Sequence, residues 1–260
     1  MTRSEVLVST DQTGVELPAG APRYSLLVAH DNAEVLAAQR LRYQVFAEEM
    51  GASLHSPEPG LDVDEFDEFC DHLVVRDDGS GEIVGTYRML PPERAARAGR
   101  LYAETEFDLT ALARLRGSLV ETGRSCVHAA HRSGAAVSLV WAGIARYMLL
   151  SGHRYLAGCA SVPLADGGGY AAGVWDTVLR RHYGAEHERV VPLDPWRADG
   201  IERPRRAVLP PLLKGYLRLG AVVCGPPAHD PDFGVADFFM LLDLHRVDSR
   251  YLTYFLGAQA

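Results

Sequence analysis

The stretch from Glu121 to Ala135 restricts the possible folds of this chain more than any other part of the sequence. It predicts a strand that runs up to Val127, a short turn, and a long apolar helix that opens at Gly134. A strand followed by a glycine-containing turn and a helix N-terminus presents backbone N–H groups to a phosphate. Glu121 and Arg124 lie three residues apart on the same strand. Phosphate binding beside an acid/base pair suggests group transfer from a phosphorylated carrier.

Length and composition are those of an ordinary globular protein. The 260 residues can form one large core or two small ones, and 47% of them are hydrophobic and 23% charged. The formal net charge of −8 disfavours general nucleic-acid binding. The four cysteines are far apart and form no Cys-x-x-Cys pair, so we expect free and mostly buried thiols.

The sequence also predicts where the protein resides. Its most apolar stretch, 135–150, is interrupted by Arg146 and falls short of the roughly 20 residues that span a bilayer, so we expect a buried core helix. The first residues lack the apolar core of a secretory signal. We therefore expect a cytoplasmic protein.

The order of the predicted elements indicates an α/β protein. Residues 1–22 are polar and lack periodicity, so we expect a flexible leader followed by one domain over 23–260. Helices are predicted at 33–50, 110–116, 134–151, 169–183 and 212–219, and strands at 24–29, 72–76, 82–90, 118–128, 154–162, 221–224 and 235–244. A turn of sequence Asp-Asp-Gly-Ser-Gly joins strands 72–76 and 82–90 into a hairpin. Because hairpins occur beside longer crossovers, a mixed sheet is expected.

Three groups of residues, each with a charged side chain, precede strand 118–128 and helix 134–151 in the sequence. Arg42 and Phe46 are four residues apart and share a helix face. The loop that follows contains Asp64 and Asp67, and it departs from a calcium-binding loop because Asp67 occupies the glycine position of that motif. Arg88 lies inside an apolar strand, where a guanidinium must be paired, and the acidic loop can supply the partners. Each group alone fits an ordinary structural role.

Taken in order, these groups resemble a known family. The succession Arg-x-x-Val-Phe, Asp-x-Phe-Asp, Gly-x-x-Arg-Met-Leu-Pro and Glu-x-x-Arg resembles that of acyl-homoserine-lactone synthases, which belong to the GNAT acyltransferase superfamily. The segments 69–73, 85–88, 123–127, 158–161 and 211–216 resemble the ornithine-lipid N-acyltransferases, a family also labelled hemolysin-like. The resemblance runs from about residue 24 to 255, and Gly-Arg-Ser-Cys-Val at 123–127 is its most specific part. It implies a GNAT-like fold with a mixed, splayed central β-sheet flanked by helices.

The resemblance implies an N-acyltransferase. Such an enzyme moves a 3-hydroxy fatty acyl chain from the phosphopantetheine of acyl carrier protein, or from acyl-CoA, to the α-amino group of ornithine or a similar amino acid. This is the first step of ornithine-lipid-type synthesis. The resemblance implies no permanently bound cofactor and no metal, and the lipid product would allow peripheral contact with the inner face of a membrane.

The resemblance also assigns roles to residues of this chain. Glu121 would be the general base, and Arg124 and Arg88 would complete the catalytic set by holding Glu121 and the acidic loop in place. Strands 118–128 and 154–162 would splay to admit the pantetheine arm, and the donor would be bound by Ser125, Val127, His131, Arg132, Ser133, Gly134 and Ala135. The acceptor would be bound by Arg42, Phe46, Asp64, Asp67 and Ser161. Asp64 and Asp67 would attract an ammonium group or would instead pair with Arg42 or Arg88.

Several alternatives stay open in the sequence. Cys126 and His128 share a strand face and could form a nucleophilic pair, although we expect direct transfer. His128 and His131 lack an evident third metal ligand. The other candidate functions are a GNAT enzyme that uses acyl-CoA or acetyl-CoA on another amine, a synthase of N-acyl amino acid or lactone signals, and a non-catalytic membrane-active protein. The last predicts a strongly basic amphipathic helix, which the sequence lacks. Arginines cluster at 94–100, 180–181 and 203–206, and each cluster is either a solvated surface or a docking site for an acidic partner. We expect Arg94, Arg97 and Arg100 to contact the carrier protein.

Overall fold

The computed structural model describes residues 6–12, 21–132 and 134–248. The strands in these ranges are β1 (Val6–Ser9), β2 (Tyr24–Val28), β3 (Asp71–Asp77), β4 (Ile83–Leu90), β5 (Phe107–Asp108), β6 (Leu119–Val127), β7 (Tyr155–Pro163), β8 (Val191–Pro192), β9 (Val222–Val223), β10 (Ala228–Asp230) and β11 (Val235–Asp243). The α-helices are α1 (Asn32–Tyr43), α2 (Pro92–Ala98), α3 (Gly134–Ser151), α4 (Gly169–Arg181) and α5 (Pro211–Arg218). The chain forms two compact units. The first consists of the described parts of Met1–Leu90 and Gly123–His153, and the second of Pro91–Thr122 and Arg154–Val247.

The first unit is an antiparallel sheet with a helix on each face. Strands β1 to β4 pair in chain order. Leu27 of β2 and Val74 of β3 are register partners and form a buried cluster with Ala38 of α1. On the opposite face of β3, Asp71 accepts a hydrogen bond of 2.8 Å from the Tyr147 hydroxyl of α3. Because strand residues three apart point to opposite faces, α1 and α3 cover the two sides of this sheet.

Four residues of the predicted flexible leader form a strand. Val6–Ser9 forms β1, which pairs antiparallel with β2, and Val8 is buried. The sheet edge supplies backbone partners that a polar segment without periodicity does not reveal. Most of the remaining leader lies outside the described residues.

The second unit is a mixed sheet. Strand β11 pairs antiparallel with β7 over nine residue pairs and also with β9 and β10. The first part of β6 pairs parallel with β7 through three residue pairs, Leu119↔Tyr155 to Glu121↔Ala157. Helix α4 places Trp175 against Phe238 of β11, with ring centroids 6.1 Å apart. The expected mixed α/β fold with helices flanking a sheet is confirmed.

Two predicted helices differ in form. The helix expected at 33–50 ends as α1 at Tyr43 and continues as a π-helix over Gln44–Glu49, and the helix expected at 110–116 is a 3-10 helix over Thr110–Ser118. The predicted hairpin between β3 and β4 is confirmed, since Gly81 N–H donates to the carbonyl of Asp77 at 2.8 Å. The single domain expected over 23–260 stays a prediction.

Helix α3 is the one described helix that is long and apolar enough to cross a membrane by length and composition. In the structure, 44% of this helix is buried.

Candidate active site

A buried ion-pair network joins α1 to the acidic loop in the first unit. Arg42 is fully buried, and its Nε donates to Asp62 Oδ2 at 2.8 Å. Its two terminal nitrogens donate to the two carboxylate oxygens of Asp67 at 2.8 and 2.7 Å, which is the bidentate geometry that makes such pairs strong. Arg42 also donates to the carbonyl of Asp62. Arg42 therefore fixes the loop through bonds to its carboxylates and its backbone.

The Asp64 and Asp67 carboxylates also accept bonds from Arg88. Its Nη1 lies 2.6 Å from Asp64 Oδ1 and 3.0 Å from Asp67 Oδ1. Burial opposes the ionisation of Asp67, but the hydrogen bond and charge of Arg42, with the charge of Arg88, outweigh it and hold the Asp67 pKa well below its usual value. Burial likewise disfavours the charged form of Arg88, yet the charge of Asp64 prevails and raises its pKa. Buried His72 shares a hydrogen bond of 3.1 Å with the carbonyl of Asp67, and burial lowers its pKa. It is therefore neutral at pH 7.

Arg124 reaches the same loop from strand β6. Its Nε lies 3.2 Å from Asp62 Oδ2 and its Nη2 lies 3.4 Å from Asp64 Oδ2. Arg124 has φ of 51°, and it is the one non-glycine residue with positive φ in the described ranges. A left-handed residue within a strand costs about 1–2 kcal/mol. Such strain is concentrated at functional sites, so the position of Arg124 is consistent with its predicted catalytic role.

This network shows the partners of the acidic loop. Asp64 and Asp67 pair with arginines, and their role in acceptor binding stays a prediction. Arg42 is fully buried within the network, so a role in binding the acceptor would have to be indirect. Phe46 is buried in the π-helix next to it. Their roles in acceptor binding stay predictions. Asp62, to which sequence reasoning assigned no role, lies at the centre of the network.

Glu121 lies in the second unit, where its carboxylate is held by backbone groups. Its Oε2 accepts a bond of 2.6 Å from the N–H of Tyr102, and its Oε1 accepts one of 2.8 Å from the N–H of Ala103. Both donors belong to a 3-10 turn over Tyr102–Thr105, and only 4% of Glu121 is exposed. The turn therefore fixes both carboxylate oxygens of Glu121 at this point of β6.

The parallel ladder between β6 and β7 ends beside Glu121. Its last pair is Glu121↔Ala157. A Cβ atom built on Gly158 would lie 2.3 Å from the carbonyl oxygen of Thr122, so only glycine permits this approach. This glycine belongs to the segment 158–161 that the sequence singled out.

The second unit also gathers carboxylates that sequence reasoning missed. Ser161 of β7 donates a hydrogen bond of 2.6 Å to Asp237 of β11, its register partner. Oxygens of Asp237, Glu106 and Asp230 lie within 4.8 Å of one another. Burial, followed by the charges of Glu106, Asp237 and other nearby carboxylates including Glu121, raises the pKa of Cys159 well above its usual value. Because Glu121 contributes to this field, the negative charge extends toward the predicted base. These residues are distant in sequence, and only strand pairing brings them together.

The residues expected to hold the donor phosphate follow β6 in the first unit. Arg132 donates to both carboxylate oxygens of Glu49, at 2.5 and 2.8 Å, and to the carbonyl of Val127 at 3.0 Å. The hydrogen bond to Glu49 raises the pKa of Arg132. His131 shares a hydrogen bond of 3.0 Å with the hydroxyl of Tyr24. Glu49 therefore partly neutralises the charge of this loop.

The rest of this set is located as follows. Ser125 lies on β6, and Gly134 and Ala135 form the first residues of α3. Ser133 lies outside the described residues. A cavity of about 590 Å³ in this unit is lined partly by α1 and the start of β4, together with His128 and His131. A space bordered by both histidines adjoins the loop predicted to bind phosphate.

The Cys126 thiol has the properties of an unreactive cysteine. It is buried, and burial raises its pKa to about 12. The thiol is therefore protonated at neutral pH. His128 instead accepts a bond of 3.3 Å at Nδ1 from the N–H of Ala130. This arrangement disfavours the Cys126–His128 nucleophilic pair.

The chain is similar to named proteins in sequence and in fold. The sequence model described as "Acetyltransferase (GNAT) domain" matches residues 41–142. The L-ornithine N(alpha)-acyltransferase of Brucella abortus is 37% identical over 251 residues, which cover 90% of this chain and 88% of that protein. The L-ornithine N(alpha)-acyltransferase of Rhodobacter capsulatus is also 37% identical, over 257 residues that cover 91% of this chain and 96% of that protein.

The solved structures show the same fold. The CoA-dependent acyl-homoserine lactone synthase BjaI, solved with MTA, matches with a TM-score of 0.53 and 19% identity, over 88% of this chain and 85% of that one. The expected resemblances to both groups are thus confirmed. The chain belongs to the L-ornithine N(alpha)-acyltransferase family and is an N-acyltransferase with a GNAT-like fold.

Proposed function

We propose that this protein acylates the α-amino group of ornithine with a long, 3-hydroxylated acyl chain taken from acyl carrier protein, the first step of ornithine-lipid-type synthesis. The observation that carries the proposal is the 37% identity, over about 90% of the chain, to relatives named for acylation of this amine. The buried, backbone-held carboxylate at Glu121 supports it with a group suited to deprotonating an amine.

The chemical problem is to obtain a neutral amine. The α-amino group of an amino acid is mostly protonated at neutral pH and cannot attack a thioester in that form. Glu121 accepts its proton, either directly or through one water molecule. Both carboxylate oxygens are fixed by N–H donors, so the base needs little reorganisation when the acceptor binds.

The transfer then proceeds in one displacement. The amine nitrogen bonds to the thioester carbon, the carbonyl oxygen becomes an oxyanion, and the carbon–sulfur bond breaks as the amide forms. The pantetheine thiolate leaves with the second proton, which the amine nitrogen gives up as the amide forms, and the proton held by Glu121 passes to solvent. Backbone N–H groups of β6 are the proposed donors to the oxyanion. The strained backbone at Arg124 belongs to this strand, and the ion pairs of its side chain with Asp62 and Asp64 hold it there.

The donor arm lies along β6, with its phosphate at the start of α3. Ser125 and Val127 supply backbone groups to the pantetheine, as an added strand would, and His131 to Ala135 surround the phosphate. Arg132 provides the positive charge after it exchanges Glu49 for the phosphate. That exposed ion pair is weak enough to exchange, since surface pairs contribute about 0–1 kcal/mol.

The acceptor is a cationic amino acid. Asp64 and Asp67 pair with arginines. A second group of carboxylates extends the negative charge in the unit that carries Glu121. These are Asp237, Glu106 and Asp230. An ammonium side chain is attracted to such a face, and Ser161 adds a hydroxyl beside Asp237. The charge of this face supports ornithine over a neutral amino acid.

One incubation experiment tests the proposal. Purified protein is mixed with ornithine, lysine, glutamine or glycine, and with the same 3-hydroxyacyl chain on acyl carrier protein or on CoA. We expect thiol release and N-acylornithine by mass spectrometry, with the highest kcat/KM for ornithine and the carrier protein. Equal efficiency with CoA would remove the carrier from the proposal, and a preference for a neutral amine would remove ornithine. Glu121→Gln serves as the inactive control.

A further inference from the structure

The second unit contains a long segment without carboxylates. Residues 204–229 include no Asp or Glu, although the whole chain has a formal net charge of −8. Four basic residues lie in this stretch, and one of them is the only lysine of the protein. They are Arg205, Arg206, Lys214 and Arg218. We refer to residues 205–218 as the basic segment.

The charges of the basic segment are exposed and unpaired. All four basic side chains are solvent-exposed. None has a hydrogen bond or an ion pair with any residue of the described ranges. Arg203, just before the segment, behaves differently and lies 3.4 Å from Asp176. A concentration of unneutralised cations on an acidic protein indicates an anionic partner.

Packing holds the basic segment in place and turns its charges outward. A Cβ atom on Gly173 of α4 would lie 2.8 Å from the side chain of Ala207, so the absence of a side chain there allows the segment to lie against the helix. In α5, Leu213, Tyr216 and Leu217 are buried. Lys214 and Arg218 are four residues apart and therefore share the opposite, exposed stripe.

An exposed aliphatic side chain lies among these charges. Val208 is 66% exposed, between Arg206 and the Pro210–Pro211 pair that begins α5. The one aromatic residue of the basic segment, Tyr216, is buried. Hot spots of protein interfaces are enriched in Trp, Tyr and Arg, and of these the basic segment exposes only arginines. A bilayer surface offers phosphates to the cations and an apolar boundary to Val208, without requiring a pocket.

We propose that the basic segment binds the surface of a bilayer that contains anionic lipids. α5 alone has only two basic residues, which explains why the sequence pattern did not predict a membrane-binding helix. The extended residues before it supply the other two. This proposed membrane binding is independent of the reaction proposed above, because the basic segment contains no residue of the proposed catalytic or donor-binding sets.

Sedimentation with vesicles tests this inference directly. The intact protein, without substrate, is mixed with vesicles of phosphatidylcholine alone, or of phosphatidylcholine with about 30% of the anionic lipid phosphatidylglycerol, whose surface attracts basic segments. We expect binding only to the anionic vesicles, and weaker binding as salt is raised. Each cation near such a surface contributes about fivefold to partitioning, so Arg205→Gln/Arg206→Gln should lower it roughly 25-fold. Lys214→Gln/Arg218→Gln should act similarly.

The matched control removes the same charge from the first unit. Arg23→Gln/Arg76→Gln changes two arginines that have carboxylate neighbours, Asp11 and Asp78, and should leave vesicle binding unchanged. Far-ultraviolet circular dichroism checks that every variant is folded. Three results overturn the proposal: no binding to anionic vesicles, equal loss in the control, or unchanged vesicle binding with a raised KM for acyl carrier protein. The last result would assign the segment to an acidic protein instead.

Discussion

The isosteric change Glu121→Gln separates catalysis from stability at one residue. In the wild type both carboxylate oxygens accept backbone N–H bonds, from Tyr102 and Ala103. A glutamine has one acceptor oxygen, and its amide nitrogen would face the second N–H as another donor. The variant therefore loses the proton acceptor and leaves one buried N–H without its bond.

Both losses have expected magnitudes. Loss of a general base lowers kcat by about 10²–10⁴-fold. A buried hydrogen bond to a charged group contributes about 1.5–3 kcal/mol to the free energy of unfolding, and Glu121 is buried enough to expect the full range. For a chain of this size each kcal/mol shifts Tm by about 2–4 °C, so a fall of roughly 3–12 °C is expected. The protein should remain folded at the assay temperature.

Thiol release at saturating donor and ornithine measures kcat, and thermal unfolding measures Tm. The residual rate of the variant should rise with pH, because free amine accumulates without needing the base. Glu104→Gln is the matched control: Glu104 accepts the N–H of Leu101 at 2.7 Å in the same turn and pairs with Arg116. It should lose stability and keep kcat. A Glu121→Gln enzyme with a kcat within threefold of wild type would refute the assignment of the base.

Three further predictions concern the carrier, the thiol and the ion-pair network. Charge reversal of Arg94, Arg97 and Arg100, which lie on and just after α2, should raise the KM for acyl carrier protein at least tenfold. The reversal should also weaken the salt dependence of this KM, since paired opposite charges steer association. Steady-state kinetics with acyl-CoA as the comparison donor would expose a non-specific loss. Cys126→Ala should retain most activity, and intact-mass measurement after mixing enzyme with acyl carrier protein should show no acyl adduct; an adduct that disappears in this variant would establish a two-step route. The folded-state pKa of Asp67 is depressed, so its stabilising contribution is present above the unfolded value of about 4 and is lost as the pH falls through the folded value. Asp67→Asn should thus destabilise the protein near pH 7 by about 3–5 kcal/mol, because Arg42 stays buried without its partner. The free energy of unfolding of the variant should also fall less steeply toward acid pH. Urea unfolding from pH 7 to pH 3 would contradict this if the stability curves of wild type and variant stayed parallel.

The local sequence determined the elements and the family. Alternation and glycine-rich turns predicted the hairpin of β3 and β4, and apolar spacing predicted α3, because these patterns depend on neighbours along the chain. The motif order also indicated the acyltransferase family and placed Glu121 and Arg124 on one strand. Arg88 had to be paired, since an apolar strand leaves a guanidinium no water, and its partner was correctly sought in the acidic loop.

Only the tertiary structure determined which charged side chains pair with one another. Asp67 accepts hydrogen bonds from Arg42 because α1 packs over the sheet. That Asp237 meets Ser161 depends on the register of β11 with β7, which no local pattern encodes. Within the predicted leader, Val6–Ser9 forms a strand for a similar reason, because β2 offers it an edge. Local propensity acts over a few residues, whereas strand pairing and burial join residues tens of positions apart. These long-range contacts determine which charged side chains are paired at each candidate site.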